Sequence, residues 1–242
     1  MSSEKSIIAI SAGDPAGIGP EICVKALDQS ALYLDARPLV ICDPEIIKKA
    51  IAVCGLKLEM NEVEIPQQGK YIHGTIDVLQ MHNVDLKQFN YGEVSPMCGK
   101  ASFEYVRKAI DLAMNGDASA TVTGPINKES LNRAGIQFPG HTEIFAHYTA
   151  TKNYAMMLAD QEFRVIHVST HVSMLEAIKA ITKERVLNVI RLADNALKGM
   201  GITRPRIAVN GLNPHAGEHG LFGREDRGDV VLELARKGID DY

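Results

Sequence analysis

The stretch Ser6–Leu27, SIIAISAGDPAGIGPEICVKAL, decides the fold class. Ser6–Ser11 is a short apolar run that predicts a buried strand. It passes directly into Gly13-Asp14-Pro15-Ala16-Gly17-Ile18-Gly19-Pro20-Glu21, a glycine-rich turn. Gly19–Leu27 then reads as a helix with Pro20 in its first turn, where a missing N–H costs nothing. Strand, glycine turn and helix in immediate succession are the opening of a βαβ unit.

The same grammar continues outward. Pro38–Cys42 predicts a strand, with Asp43 as a cap and Glu45–Val53 as a helix behind Pro44. Leu56–Asn90 reads as short strands and loops, with weak alternation over Tyr71–Leu79. Lys100–Met114 predicts a helix from Phe103, Val106, Ile110 and Met114, stopped by Asn115-Gly116. Ala118–Thr123 predicts a strand. Met156–Ala159 and Phe163–Ser169 predict a strand pair turning at Asp160-Gln161-Glu162, with His167 packed inside the second strand and Met156-Met157 in the core. Lys183–Met200 is amphipathic, with Val186, Val189, Ile190, Ala193 and Leu197 on one face. Arg206–Asn210 predicts a strand and Asp229–Lys237 a last helix. This alternation predicts an α/β protein with largely parallel sheets and helices on both faces.

A chain of 242 residues can bury one large core or two small ones, and no Ser/Pro/Gly linker marks a boundary. Lys and Arg number 26 against 30 Asp and Glu, so the net charge is 26 − 30 = −4, which argues against a nucleic-acid or acidic-membrane partner. No apolar run is long enough to span a bilayer. The first residues lack signal-peptide architecture. Cys23, Cys42, Cys54 and Cys98 are scattered, which argues against a disulfide framework or a zinc–thiolate site, and the apolar contexts of Cys23, Cys42 and Cys54 make those three small core residues. The expectation is a cytoplasmic enzyme or binding protein.

Ligands of open α/β sheets bind beyond the carboxyl ends of the strands, and that rule selects four places. Gly13–Glu21 either brings backbone N–H groups to an anion or is a tight packing turn; it is neither a dinucleotide fingerprint nor a Walker A loop. In Thr123-Gly124-Pro125-Ile126-Asn127-Lys128, Lys128 either neutralises a phosphate or carboxylate or is a solvated surface group. In Pro139-Gly140-His141-Thr142-Glu143, His141 and Thr142 stand at the start of a helix, Thr142–His147. There they donate to a phosphate, or Thr142 merely caps. His171 and His215 each follow a predicted strand, so both should face one crevice, and two imidazoles make a transition-metal site conceivable. His219, in the loop of His215, is a further candidate ligand.

These loops, in this order, resemble the 4-hydroxythreonine-4-phosphate dehydrogenase family. GDPAGIGPE (Gly13–Glu21), TGPINK (Thr123–Lys128), PGHTE (Pro139–Glu143), STH (Ser169–His171) and GLNPHAGE (Gly211–Glu218) carry the resemblance across nearly the whole chain. It implies a fold like that of isocitrate and isopropylmalate dehydrogenases, with two intertwined subdomains whose boundary the sequence does not mark, and a homodimer with shared active sites. It implies NAD-dependent oxidation of 4-hydroxythreonine 4-phosphate with loss of CO₂, giving an amino-oxopropyl phosphate. It places substrate contacts on His141 and Thr142. It places ligands for a divalent metal (zinc, magnesium or cobalt) on His171 and His215, and leaves Lys128 and Asp14 at the cleft rim. No residue is assigned to the cofactor.

Two features depart from that pattern. The family's third metal histidine, in a later His-Asp-Gln-Gly motif, and further lysine, asparagine and arginine contacts have no counterpart before Tyr242. The expectation is a C-terminally shortened chain with an incomplete metal site, either a fragment or a naturally short homologue. Asn153–Leu158, Val165–His171 and Leu221-Phe222-Gly223 look more like the sister dehydrogenases of D-threonate and D-erythronate 4-phosphate, which yield dihydroxyacetone phosphate. A reading of another class is a non-catalytic phosphometabolite-binding homologue.

Overall fold

The computed structural model describes residues 5–161 and 163–223, and the chain divides into two compact units, Met1–Thr151 and Lys152–Tyr242. The first unit runs β1 (Ser6–Ser11), α1 (Gly19–Leu27), α2 (Leu32–Asp35), β2 (Ala36–Cys42), α3 (Pro44–Val53), β3 (Glu59–Val63), β4 (Thr75–Gln80), α4 (Pro96–Met114), β5 (Ala120–Thr123), α5 (Lys128–Arg133) and α6 (His141–Tyr148). Cap residues set the helix starts. The Asp43 carboxylate accepts the Glu45 amide ahead of Pro44. Ser95 accepts the Cys98 amide ahead of Pro96, so α4 begins four residues before the predicted start at Lys100.

The five strands form one sheet in the order β3-β4-β2-β1-β5, and every pair is parallel. β1 is an interior strand next to the edge strand β5, with Ile10 opposite Val40 of β2 and Val122 of β5. From β1 the chain winds toward β2; from β4 it crosses back over the sheet to β5. Right-handed crossovers in opposite directions put α1 and α3 on one face and α4 on the other. The switch point between them lies between β1 and β5.

The core gathers Val24 and Leu27 of α1, Ile46 and Ile47 of α3, the strand residues Leu39, Ile41, Ile76 and Val78, and Tyr105 and Ala109 of α4. Helix α4 is buried on two sides. Val106 and Ile110 join Leu131 and Ile144 in a second cluster under α5 and α6, whereas Met114, expected on the apolar face, is exposed. Cys23, Cys42 and Cys98 are buried and Cys54 half-buried, all as free thiols.

The second unit holds the antiparallel pair β6 (Met157–Ala159) and β7 (Arg164–Ile166), α7 (Met174–Ala180), α8 (Lys183–Gly199) and a 3-10 turn over Pro214–Gly220. Val189, Ile190 and Ala193 bury the predicted face of α8, and Ile207 and Val209 pack against Ile190. Three expectations change here. Arg206–Asn210 has no strand partner among the described residues; its alternate apolar side chains pack on helix α8 instead of extending a ladder. β7 ends at Ile166, so His167 lies just past it, with its amide donating to the Met156 carbonyl at 3.1 Å. Met156 and Met157 are half-buried at the hairpin rather than in a core. The helix expected at Asp229–Lys237 lies outside the described residues.

Candidate functional site

The loops after β1 and β5 emerge side by side because those strands are neighbours. They are laced together through the backbone. The Gly124 amide donates to the Ser11 carbonyl at 2.7 Å, and the Asp14 amide donates to the Pro125 carbonyl at 2.9 Å. Gly13 stands at φ 83, where a Cβ would sit 2.3 Å from the Pro125 oxygen; at Gly124 a Cβ would sit 2.4 Å from the Ala12 oxygen. These two glycines are required by close backbone packing. Gly17 is not so constrained, and lines a pocket of about 300 Å³ with Ala16, Ile18, Glu21, Val53, Tyr91 and Gly92.

Asp14 is not at a rim. It is 3% exposed, and its Oδ1 accepts the Ala16 amide at 2.8 Å. Burial pushes its carboxyl above the usual range, against the Ala16 amide and the Ser130 hydroxyl, which favour the charged form. Ser130 is the knot that the sequence did not announce. Its Oγ accepts the Ser95 amide at 3.2 Å, and its own amide donates to the side chain of Asn127, the cap of α5. Lys128 follows that cap and is exposed.

Helix α6 begins at His141, one residue before the predicted start. Its cap is Gly140, which has no side chain to offer, so Thr142 is not the cap and the first amides of the helix have no side-chain partner there. The His141 ring lies by the Gly124 backbone. Burial lowers its pKa and that backbone group raises it in part. His141 Nε2, Glu143 Oε2 and Ser11 Oγ are enclosed polar atoms without a hydrogen-bond partner. Thr142 is half-buried beside them in sequence. The structure thus brings His141 to the β5 loop, and an enclosed, unpartnered imidazole nitrogen is what a ligand oxygen would meet. Glu143 stood in the motif, but nothing in the sequence marked its carboxylate as enclosed.

His171 and His215 both lie in the second unit and both are exposed. Neither directly follows a strand among the described residues. His171 comes five residues after β7 ends, and Arg206–Asn210, ahead of His215, forms no strand among the described residues. Another feature unites them: His171 stands at φ 57 and His215 at φ 53, left-handed backbone that non-glycine residues rarely adopt. Ala216, Glu218 and His219 continue the left-handed run. Such backbone persists where surroundings impose it, and often at functional sites. Two imidazoles suit zinc, cobalt or a similar ion, but among the described residues no group of three or more His, Cys, Asp or Glu side chains could hold a metal. The donor set fits a divalent ion in part.

A parallel α/β sheet with polar glycine loops gathered at its switch point places the chain in the class of open-sheet proteins whose ligand crevice lies beyond the strand ends. The family model of the pyridoxal phosphate biosynthetic protein PdxA matches residues 35–240, and the chain belongs to that family, whose similar members are named as dehydrogenases. It is 44% identical over 238 residues to a protein of Symbiobacterium thermophilum provisionally named a D-threonate 4-phosphate dehydrogenase, covering 98% of this chain and 71% of that one. A Clostridium botulinum protein with the same provisional name is 42% identical over 239 residues, covering 98% and 72%. The crystal structure of the 4-hydroxythreonine-4-phosphate dehydrogenase of Klebsiella pneumoniae superimposes with a TM-score of 0.87 at 37% identity, covering 99% of this chain and 73% of that one. A terephthalate 1,2-cis-dihydrodiol dehydrogenase of Burkholderia xenovorans LB400 matches with a TM-score of 0.66 at 29% identity, covering 98% and 72%. Among the described residues no helix is long and apolar enough to cross a membrane.

Proposed function

We propose that this chain is an NAD-dependent dehydrogenase of a four-carbon acid 4-phosphate, oxidising the secondary hydroxyl with loss of the neighbouring carboxylate as CO₂. The observation that carries this reading is the enclosed, unpartnered Nε2 of His141 at the uncapped start of α6. His141, Thr142 and the free amides of the first turn would hold the phosphate there, converting remote binding energy into orientation of the reacting carbon. His171 and His215 would contribute two imidazoles to a divalent metal. The chemistry this chain does not itself carry is supplied by those bound groups: a nicotinamide to take the hydride, and a metal to acidify the hydroxyl and polarise the resulting ketone.

The substrate favoured is D-threonate 4-phosphate, because relatives bearing that name are 41–44% identical, against 37% for the structures named for 4-hydroxythreonine 4-phosphate. 4-Hydroxythreonine 4-phosphate is the second substrate. A dimer with shared sites is part of the proposal, supported by the exposed Phe163, Met174 and Leu175 in the second unit.

The test is NADH formation by this 242-residue chain with zinc, magnesium or cobalt. Both phosphates are offered in parallel and light scattering reads the oligomer. Metal-dependent turnover, faster with threonate 4-phosphate, is the expected result. Phosphate binding at His141 without turnover would instead favour the non-catalytic binding homologue, the reading that the two-imidazole donor set supports. Neither binding nor turnover by the folded protein would overturn both.

A further inference from the structure

Arg185 occupies an unusual place for its charge. It is the third residue of α8, behind the cap Thr182, whose hydroxyl accepts its amide at 3.1 Å. That position favours Glu or Gln, which can close a capping box, and a cation in the first turn opposes the helix dipole. The preceding helix obeys the rule. In α7 the Glu176 amide donates to the Ser173 hydroxyl at 3.2 Å, and the Glu176 carboxylate accepts the Ser173 amide at 3.3 Å. Helix α8 forgoes the box.

The Arg185 side chain reaches the hairpin instead. Its Nε donates to the Val168 carbonyl at 2.9 Å and an Nη donates to the Tyr154 carbonyl at 3.0 Å. Tyr154 lies on the segment entering β6 and Val168 on the segment leaving β7, so one planar fork clasps the open end of the hairpin. The amide of His167 closes the same end on the Met156 carbonyl. From Val168 the chain runs straight into Ser169-Thr170-His171, and reaches the left-handed backbone of His171 three residues later.

We propose that Arg185 is a positioning residue for the Ser169–His171 loop, setting the Val168 backbone so that the His171 imidazole is presented to a divalent cation. The inference rests on the proposed reading of His171 as a metal ligand. Left-handed backbone at a non-glycine residue relaxes unless its flanks are held. The guanidinium supplies that hold from a rigid helix. A lysine ammonium cannot span two carbonyls with the same fixed geometry.

The experiment compares the wild-type 242-residue protein with Arg185→Ala, Arg185→Lys and His171→Ala, each checked for helix content by circular dichroism. Hydrogen exchange reads the loop, and cobalt(II) titration followed by visible absorption reads the metal. Arg185→Ala is expected to speed exchange across residues 168–171 and leave the middle of α8 protected. It should weaken cobalt binding between about 10- and 100-fold, the usual effect of an outer-shell partner. Free guanidinium at non-denaturing concentration should restore the spectrum, and Arg185→Lys should fall between the two. Unchanged exchange at 168–171, or unchanged cobalt affinity while His171→Ala loses it, overturns the role of Arg185. If the wild type gives no cobalt spectrum, or His171→Ala matches it, the metal reading itself falls and takes this purpose of Arg185 with it.

Discussion

The amide of Asp14 donates to the carbonyl of Pro125 across 2.9 Å, so the turn after the interior strand β1 and the turn after the edge strand β5 are one piece of backbone architecture. Everything placed at the switch point depends on that closeness.

Gly124→Ala should therefore be costly. The new methyl would stand 2.4 Å from the Ala12 oxygen, and backbone on both sides must part to admit it. The expected loss is on the order of 1–3 kcal/mol, typical of an overpacked interior. Urea denaturation measures it. A midpoint equal to wild type would show that the two loops separate easily.

His141 should titrate below its ordinary range, since burial disfavours the imidazolium. Its folded pKa lies under the unfolded 6.5, so the unfolded chain takes up the proton first as pH falls. Stability is then lost below that value and retained above it. Denaturation at about pH 5.5 and pH 7.5 should differ less in His141→Asn than in wild type. Adding a phosphorylated ligand should raise the His141 pKa, read by NMR; no response would detach the phosphate from this residue.

Asp14 carries the opposite sign for a carboxylate. Its folded pKa is raised by burial above the usual 3.8, so protonation favours the folded state. This contribution is fully present below the unfolded pKa and lost as pH rises through the folded one. Asp14→Asn keeps an oxygen for the Ala16 amide and removes the buried charge. It should be more stable than wild type at neutral pH, with the gap closing in acid. A gap that widens on acidification would contradict the burial argument.

His171→Ala and His215→Ala should each reduce metal-dependent NADH formation beyond the roughly 100-fold that outer-shell changes reach. His73→Ala, in the first unit with its ring on the Asp28 carbonyl, should leave the rate unchanged. Steady-state kinetics with saturating metal decides. Equal small losses in all three would remove the two histidines from the metal.

Much of the first unit was legible because its signals are local. Ser6–Ser11 and Gly19–Leu27 match the predicted spans, and Asp43 caps as read. β3 was not legible, being short, partly exposed and mostly polar, with only Val63 buried. Arg206–Asn210 shows the limit from the other side: its alternation was real, but a strand needs a neighbour and alternation does not say what it packs on. In the site, the glycine loops and His141 were legible from strand–turn–helix order. The burial of Asp14 and the junction at Ser130 were not, because both arise from chain segments far apart in sequence.

The pairing of β1 with β5 also governs when the site can exist. Ile8 lies opposite Ala120, so the first strand made must wait for one of the last in its unit. During synthesis β1 and β2 can pair early, since only the short helices α1 and α2 separate them. The loop after β1 then lacks its β5 neighbour until residues beyond Thr123 have left the ribosome. A nascent chain stalled inside α4 would present Gly13–Glu21 without the β5 loop that packs on it. The point of arrest at which a phosphorylated metabolite first protects the chain from proteolysis should fall after α6, when His141 arrives.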